Sequence, residues 1–202
     1  MITTISVIFY LRVMAGQRKF PYKWKGLPSF QEVALHLTIS VIIRDILFYY
    51  GHVALHSRYL YKFIHKQHHA FTAPMGMSAM YCHPVEHLVS NFIPVIVGPG
   101  LLGSHILVVW LFVIMESVAA VSTHSGYHLP GILREASRFH DYHHEFFTGN
   151  YGSREWLDYL HGTDSAYKKY MLTKNAVRDD IVTEWSMLGA LWAIALGNKF
   201  VG

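Results

Sequence analysis

The stretch HKQHH at residues 65–69 places three imidazole side chains within five positions, and HDYHH at residues 140–144 nearly repeats it. Residues three and four positions apart lie on one side of a helix, so each trio presents its rings to a common point. HVALH adds two more histidines, four apart, at the end of an apolar run. The spacing therefore predicts eight converging rings carried on helices: His52, His56, His65, His68, His69, His140, His143 and His144.

Eight imidazoles in one place indicate a metal site, because the neutral ring is a common ligand of zinc, copper, iron and nickel. Structural zinc takes four ligands and octahedral ions take six, so eight ligands require two ions. A solvated basic patch is the alternative, but three clusters at helical spacing rarely coincide. Lone histidines within apolar runs, such as His36 and His105, are expected to be packing residues instead.

The composition indicates a membrane protein, since 52% of the residues are hydrophobic and only 15% are charged. The run at 33–50 is nearly long enough to span a bilayer, although it contains Arg44 and Asp45. The run at 88–121 is broken by glycines and a proline near its middle, so we expect two helices joined by a tight turn there. We therefore predict an all-α integral membrane bundle with a histidine-rich cap that holds a dinuclear metal centre.

The two ends of the chain carry weaker signals. Residues 1–15 are apolar but short, without a positive start, and are treated as the remnant or start of a membrane helix, so a truncated N-terminus is one explanation. Basic residues at 12–25 suit anionic lipid headgroups, with a solvated basic loop as the alternative. The run at 185–200 is expected to be interfacial or packed on the bundle. Cys82 is the only cysteine, which excludes an internal disulfide.

HPVEH at residues 83–87 also matches the inverted zinc-peptidase signature, with a glutamate as general base. A peptidase would leave the other histidines unexplained, so we expect His83 and His87 to be additional ligands or groups that support ligands. The chain shows no nucleophile elbow, Walker loop or dinucleotide fingerprint. We expect no nucleic-acid partner.

Three polar residues are further candidates for the site. Asp45 shares a helix face with His52 and could orient that ring, although neutralising the adjacent Arg44 explains it equally well. Asp158 is a similar candidate. Asn150 could reach a metal through water, or simply form a turn in GNYG.

The residues do not identify the metal. Iron with open positions can activate oxygen and attack a C–H bond, whereas zinc permits only Lewis-acid chemistry. The membrane setting favours an apolar substrate that enters from the bilayer between helices.

The ordered set of HVALH, HKQHH, HPVEH, HSGYH and HDYHH, with GNYG at 149–152 and LDYLHGTD at 157–164, resembles the fatty acid hydroxylase/sterol desaturase superfamily. The stretches LPSF at 27–30, LPGILREASRFHDYHH and LHGTD look most like the C-4 methylsterol oxidases and the fatty acid hydroxylase domain-containing proteins. The resemblance covers roughly residues 27–170.

This resemblance implies a multi-pass enzyme of the endoplasmic reticulum membrane with a di-iron centre facing the cytosol. It implies molecular oxygen as oxidant and electrons from an external donor, cytochrome b5 or a reductase; zinc could replace iron in a purified sample. The family's ligand motifs fall on the eight histidines above, with His124 and His128 completing the set. The implied substrate is a 4-methyl sterol of sterol biosynthesis. A fatty acid or sphingolipid hydroxylase, and a catalytically silent relative that binds metal or lipid, remain alternatives.

The expected organisation is an N-terminal apolar segment and basic loop (1–26), a fatty acid hydroxylase-like catalytic domain (27–170) and a C-terminal tail with a short apolar helix (171–202). One conflict remains. The positive-inside rule places the basic loop in the cytosol, and one crossing at 33–50 would carry His52 to the other side, whereas the resemblance places the histidines in the cytosol.

Overall fold

A computed structural model describes residues 20–22, 26–127 and 132–174, without the side chains of 132–134. These residues form helices and no strands, which confirms the predicted all-α class. The chain divides into two compact units, one ending at Thr163 and the other beginning at Asp164. Within the second unit, a helix covers residues 165–174. The predicted limits of the catalytic domain and the tail stay a prediction.

Three helices among the described residues are long and apolar enough to cross a bilayer. Helix α1 is Phe30–Leu55, α2 is Pro84–Leu102 and α3 is Ile106–Thr123. The 26 residues of α1 reach about 39 Å, which exceeds a hydrocarbon core of about 30 Å. Large apolar side chains on α3, such as Trp110 and Ile114, are exposed on its outer face, as expected of a surface that meets lipid. The chain is therefore a membrane protein.

Ser29 caps the first turn of α1, because its hydroxyl accepts the backbone N–H of Glu32 at 3.2 Å. The helix packs along α2 at a point of very close approach. A Cβ atom on Gly98 would lie 2.7 Å from the Cα atom of Ser40. Small residues at this crossing let the two backbones meet, as is common between membrane helices.

The turn between α2 and α3 is shorter than the sequence predicted. Gly98, Pro99 and Gly100 lie inside α2, and only Gly103, at φ 63°, ends the helix in the left-handed conformation. Proline and glycine are tolerated there because neighbouring helices satisfy the freed backbone groups. His105 then caps α3 by accepting the N–H of Leu107, which fits its expected packing role.

Helix α2 also begins earlier than predicted. Its first turn is Pro84–Glu86, within HPVEH, and a π-helical segment, His87–Phe92, follows before regular α-helix resumes at Ile93–Leu102. Consecutive helices run antiparallel, so the end of α1, the start of α2 and the end of α3 meet at one end of the bundle.

Further elements lie at this end of the bundle, among them a 3-10 helix, Gly76–Met80, that contacts α3. A 3-10 helix, His65–Ala70, replaces the α-helix that the spacing of HKQHH predicted. Helix α4, Ile132–Phe146, carries HDYHH, as expected, and α5 is Glu155–His161. At the opposite end, the backbone N–H of Ile106 donates to the carbonyl of Pro21 at 2.8 Å. The apolar runs at 1–15 and 185–200 lie outside the described residues.

Candidate metal centre

Nine of the ten histidines expected as ligands come together at one end of the bundle, within the part of the chain that the structure describes. Helix α1 supplies the first pair, the 3-10 helix a trio, the end of α3 a single ring and α4 a second trio. They are His52 and His56; His65, His68 and His69; His124; and His140, His143 and His144. His128 lies outside the described residues.

The nine rings form two groups, in each of which one nitrogen per ring lies within 4.8 Å of the others. The first group has five members, His52, His56, His65, His69 and His143, and the second has four, His68, His124, His140 and His144. HKQHH and HDYHH each contribute to both groups. The groups are adjacent, since the rings of His69 and His144 are 4.7 Å apart between centroids. Each of the two groups could hold one metal ion.

Backbone carbonyls fix the orientation of four of these rings through Nδ1. A carbonyl can only accept, so each of these Nδ1 atoms must donate and each Nε2 atom must be the one without a hydrogen. The pairs are His52 with Tyr151 (2.7 Å), His124 with Ala120 (2.8 Å), His143 with Gly149 (2.7 Å) and His144 with Phe71 (3.1 Å).

The Nε2 atoms of each group converge, and those of the four rings held by carbonyls carry lone pairs. Those of His124 and His140 are 2.9 Å apart, and those of His140 and His144 are 3.1 Å apart. In the other group, Nε2 of His143 lies 3.1 Å from that of His56 and 3.2 Å from that of His69. Converging nitrogen lone pairs repel one another unless a cation lies between them, so the donor set fits two metal ions.

Burial keeps these histidines in the neutral form that binds metal. It lowers the pKa of His56 to about 2, of His124 to about 4 and of His144 to about 3, and neighbouring rings lower the pKa of His56 and His144 further. Burial and the same repulsion hold the pKa of His68, His140 and His143 well below the ordinary value. The rings are therefore uncharged at neutral pH.

Glu86 is a residue of the site that the sequence reasoning missed. Its Oε1 atom lies 2.9 Å from Nδ1 of His65, and both side chains are buried. A carboxylate behind a histidine ligand orients the ring and raises its basicity. HPVEH carried the signal, but its glutamate was considered only as the base of a peptidase. His83 instead caps α2 by accepting the N–H of Val85, and neither His83 nor His87 belongs to a described metal group.

The expected support of His52 by Asp45 is corrected by the structure. His52 uses Nδ1 for the carbonyl of Tyr151, whereas Asp45 enters a buried charge network with two arginines and Glu116. Asp45 therefore neutralises Arg44, and its carboxylate also accepts hydrogen bonds from three further donors. The Asp45 carboxylate contacts Arg44 (3.0 Å), Ser153 (3.0 Å), Arg154 (2.6 Å) and Trp156 (3.1 Å).

Asp158 and Asn150 act on the loop at 149–152, whose carbonyls hold His52 and His143. Asp158 accepts the backbone N–H of Tyr151 at 2.8 Å and that of Gly152 at 2.7 Å. Asn150 donates its side-chain amide to the carbonyl of Phe139 at 2.9 Å and has a positive φ of 52°, which is the turn explanation. Both are fully buried supports of the loop.

A cavity of about 390 Å³ lies between the three long helices and reaches the metal centre. Apolar side chains such as Phe48, Val95 and Val113 form much of its wall. Five of the nine histidines line one part of it, namely His52, His65, His68, His124 and His140. The cavity therefore suits an apolar molecule held against the histidine groups.

Comparisons with known proteins agree with this architecture. The chain is 46% identical over 145 residues to fatty acid hydroxylase domain-containing protein 2 of Homo sapiens, covering 72% of this chain and 43% of that protein. It is 38% identical over 173 residues to methylsterol monooxygenase 2-2 of Arabidopsis thaliana (81% and 63%). It is 38% identical over 152 residues to a very-long-chain aldehyde decarbonylase of Oryza sativa subsp. indica (70% and 57%).

The chain thus spans about half the length of the curated relatives it matches. No solved structure gives a significant match. The model of the fatty acid hydroxylase family matches residues 37–163, which include the nine histidines of the two groups. The chain belongs to the fatty acid hydroxylase family.

Proposed function

We propose that the chain is a membrane-bound non-haem di-iron oxygenase that oxidises a C–H bond of a lipid with molecular oxygen. The observation that carries the proposal is the pair of buried, all-histidine groups at the wall of an apolar cavity between candidate membrane helices. Iron held by these groups would supply oxygen activation. In the overall reaction, one oxygen atom enters the C–H bond, and the other becomes water with two electrons and two protons from outside.

The chain's own residues provide three things for this reaction. The carbonyls of Tyr151 and Gly149 fix the rings of His52 and His143, so the donor atoms are positioned before metal binds. The bundle excludes water from the buried rings. The cavity accepts an apolar molecule from the bilayer and holds it beside His68 and His124.

The proposed substrate is a 4-methyl sterol, whose C-4 methyl would be oxidised stepwise towards the carboxylate. Similarity to a methylsterol monooxygenase over 81% of the chain supports this choice. A fatty acyl or sphingolipid chain is the second candidate, favoured by the similarity to a very-long-chain aldehyde decarbonylase. We further propose the endoplasmic reticulum membrane as location, the cytosol as the side of the histidines, and cytochrome b5 or a reductase as electron donor.

Reconstitution tests the proposal. Purified protein in lipid vesicles receives ferrous iron, a reducing system and either a 4-methyl sterol, a fatty acid or a ceramide, in labelled oxygen. We expect one label atom in the sterol product and none with a His140→Ala variant. Label in the fatty acid or ceramide alone would select the second candidate. Bound iron without labelled product from any of the three lipids would favour a catalytically silent relative.

A further inference from the structure

Oε2 of Glu86 and Oγ of Ser90 are among the buried polar atoms of the cavity wall that have no hydrogen-bond partner in the described residues. Both residues are only 3% exposed, and both line the cavity. They lie four positions apart near the start of α2, so their side chains share a face of the helix. Burying such groups without partners costs free energy, which a bound molecule would recover.

The position of Glu86 ties this polar pair to the metal centre. Its other oxygen, Oε1, is 2.9 Å from Nδ1 of His65, a member of the five-histidine group. A group bound at Oε2 therefore lies only one side chain away from a ring of the metal centre. The part of the substrate that carries this group must be close to the carbon that reacts.

The chemistry of the pair selects the bound group. A carboxylate accepts hydrogen bonds, and a serine hydroxyl both donates and accepts. A hydroxyl group can donate to Glu86 while it accepts from Ser90, so it satisfies both. An aldehyde or ester carbonyl only accepts hydrogen bonds and can donate to neither residue, whereas a hydroxyl pairs with Glu86 in either of its protonation states. An ammonium group would be repelled by two nearby metal cations.

We propose that Glu86 and Ser90 form a hydroxyl-binding subsite, and that the substrate is a lipid alcohol whose hydroxyl lies within a few bonds of the oxidised carbon. This inference rests on the proposed function, because it places the subsite beside a metal centre. A sterol with its hydroxyl on the ring carbon next to the methyl-bearing carbon meets the requirement. A long-chain aldehyde does not.

Equilibrium binding without turnover tests the subsite. Metal-loaded protein in detergent micelles, kept free of oxygen, is titrated with a 4-methyl sterol and with the same molecule lacking the hydroxyl, each displacing a fluorescent sterol. We expect the alcohol to bind more tightly to the unmodified protein. Ser90→Ala should weaken binding of the alcohol about fivefold, the effect of one hydrogen bond, and leave the deoxy analogue unchanged.

Ser117→Ala is the matched control, since Ser117 lines the same cavity from α3 but is exposed. It should bind both probes like the unmodified protein. Ser90→Cys, which leaves no cavity and is a weak hydrogen-bonding group, repeats the comparison if alanine alters the packing, and the metal content of each variant reports its fold. Equal binding of the two probes to the unmodified protein, or no binding of either, would overturn the subsite.

The two proposals fail separately. A preference for the alcohol that Ser90→Ala removes, in a protein that forms no oxygen-dependent product, would uphold the subsite and reject the oxygenase. Labelled product from the 4-methyl sterol, with no preference for its hydroxyl, would uphold the oxygenase and reject the subsite.

Discussion

At the residue scale, histidine side chains have two different roles in this chain, and the surroundings of each ring determine its role. His140 and His144 turn their Nε2 atoms towards other rings, whereas His36 lies 3.0 Å from the hydroxyl of Ser104 between two helices. The sequence separates these cases only through clustering. The two trios with offsets of three and four and the pair His52 and His56 join the metal groups, as does the single His124, whereas the lone His36 within an apolar run packs.

Cys82 offers a prediction at this scale. Burial, with the nearby Glu86 carboxylate, raises the pKa of its thiol to about 11 from an ordinary value of 9.0. The thiolate is the reactive form, so two pKa units reduce its population about a hundredfold at pH 7.5. We therefore expect a maleimide to label the folded protein at least that much more slowly than the protein unfolded in detergent and urea. Labelling at equal rates in both states would show that the thiol is accessible and unperturbed.

At the element scale, the crossing of α1 and α2 depends on a glycine. An added Cβ at Gly98 would meet the backbone Cα atom of Ser40 at 2.7 Å, which cannot move aside as the end of a flexible side chain could. Gly98→Ala should destabilise the bundle by about 1–3 kcal/mol, the usual cost of overpacking, and lower the thermal unfolding temperature in detergent.

The matched control for this crossing is Gly51→Ala in α1. A Cβ there would meet only the Ser90 hydroxyl, at an ordinary 3.4 Å, and alanine favours the helix. That variant should unfold at the same temperature as the unmodified protein or slightly higher. If both variants lost stability alike, the close approach at Gly98 would not be the cause.

The loop at 149–152 supports a second prediction at this scale. Its two carbonyl contacts to histidine are both to the five-histidine group, and Asp158 holds the loop in place. Asp158→Asn should lower the binding affinity for one metal ion about 10- to 100-fold, as is typical for residues that support ligands, and leave the other ion bound. Metal content after stepwise removal with a chelator measures this.

The control for Asp158→Asn is Glu135→Gln, which removes an exposed charge on α4 that pairs with Arg138. It should retain both ions. Loss of both ions together in Asp158→Asn would mean that the aspartate maintains the fold in general and does not position one group.

Many of the helices could be predicted from the sequence, and there is a physical reason why the other features could not. Periodic spacing predicted that HDYHH lies on a helix, because side-chain direction follows from helical geometry alone. The 3-10 form of His65–Ala70 could not be predicted, since offsets of three and four suit both helix types. The contacts between histidine rings and backbone carbonyls such as those of Tyr151 and Gly149 cannot be inferred from a sequence. The ion pairs of Asp45 with arginine could not be distinguished from support of a histidine, because that distinction depends on tertiary contacts.

At the scale of the whole molecule, three long helices place the histidines at one end of the bundle and Pro21 at the other. Pro21 and the metal centre are therefore on opposite sides of the membrane if α1 spans it. The sequence posed a conflict between the positive-inside rule and the family resemblance, and the basic residues behind that conflict lie outside the described residues.

Cysteine labelling in sealed vesicles tests this arrangement. Tyr22→Cys and Tyr159→Cys introduce exposed thiols at the two ends, and the buried Cys82 needs no replacement. A membrane-impermeant maleimide should label only one of the two variants until the vesicles are opened. Labelling of both from the same side would mean that α1 does not cross the bilayer.

The central claim is that two groups of buried imidazoles each hold one metal ion. Metal analysis of the purified protein, combined with X-ray absorption at the iron edge, tests it most directly. We expect about two ions per chain, surrounded by nitrogen at about 2.0–2.2 Å and without sulfur. One ion or none per chain after iron loading, or a first shell dominated by sulfur, would contradict it.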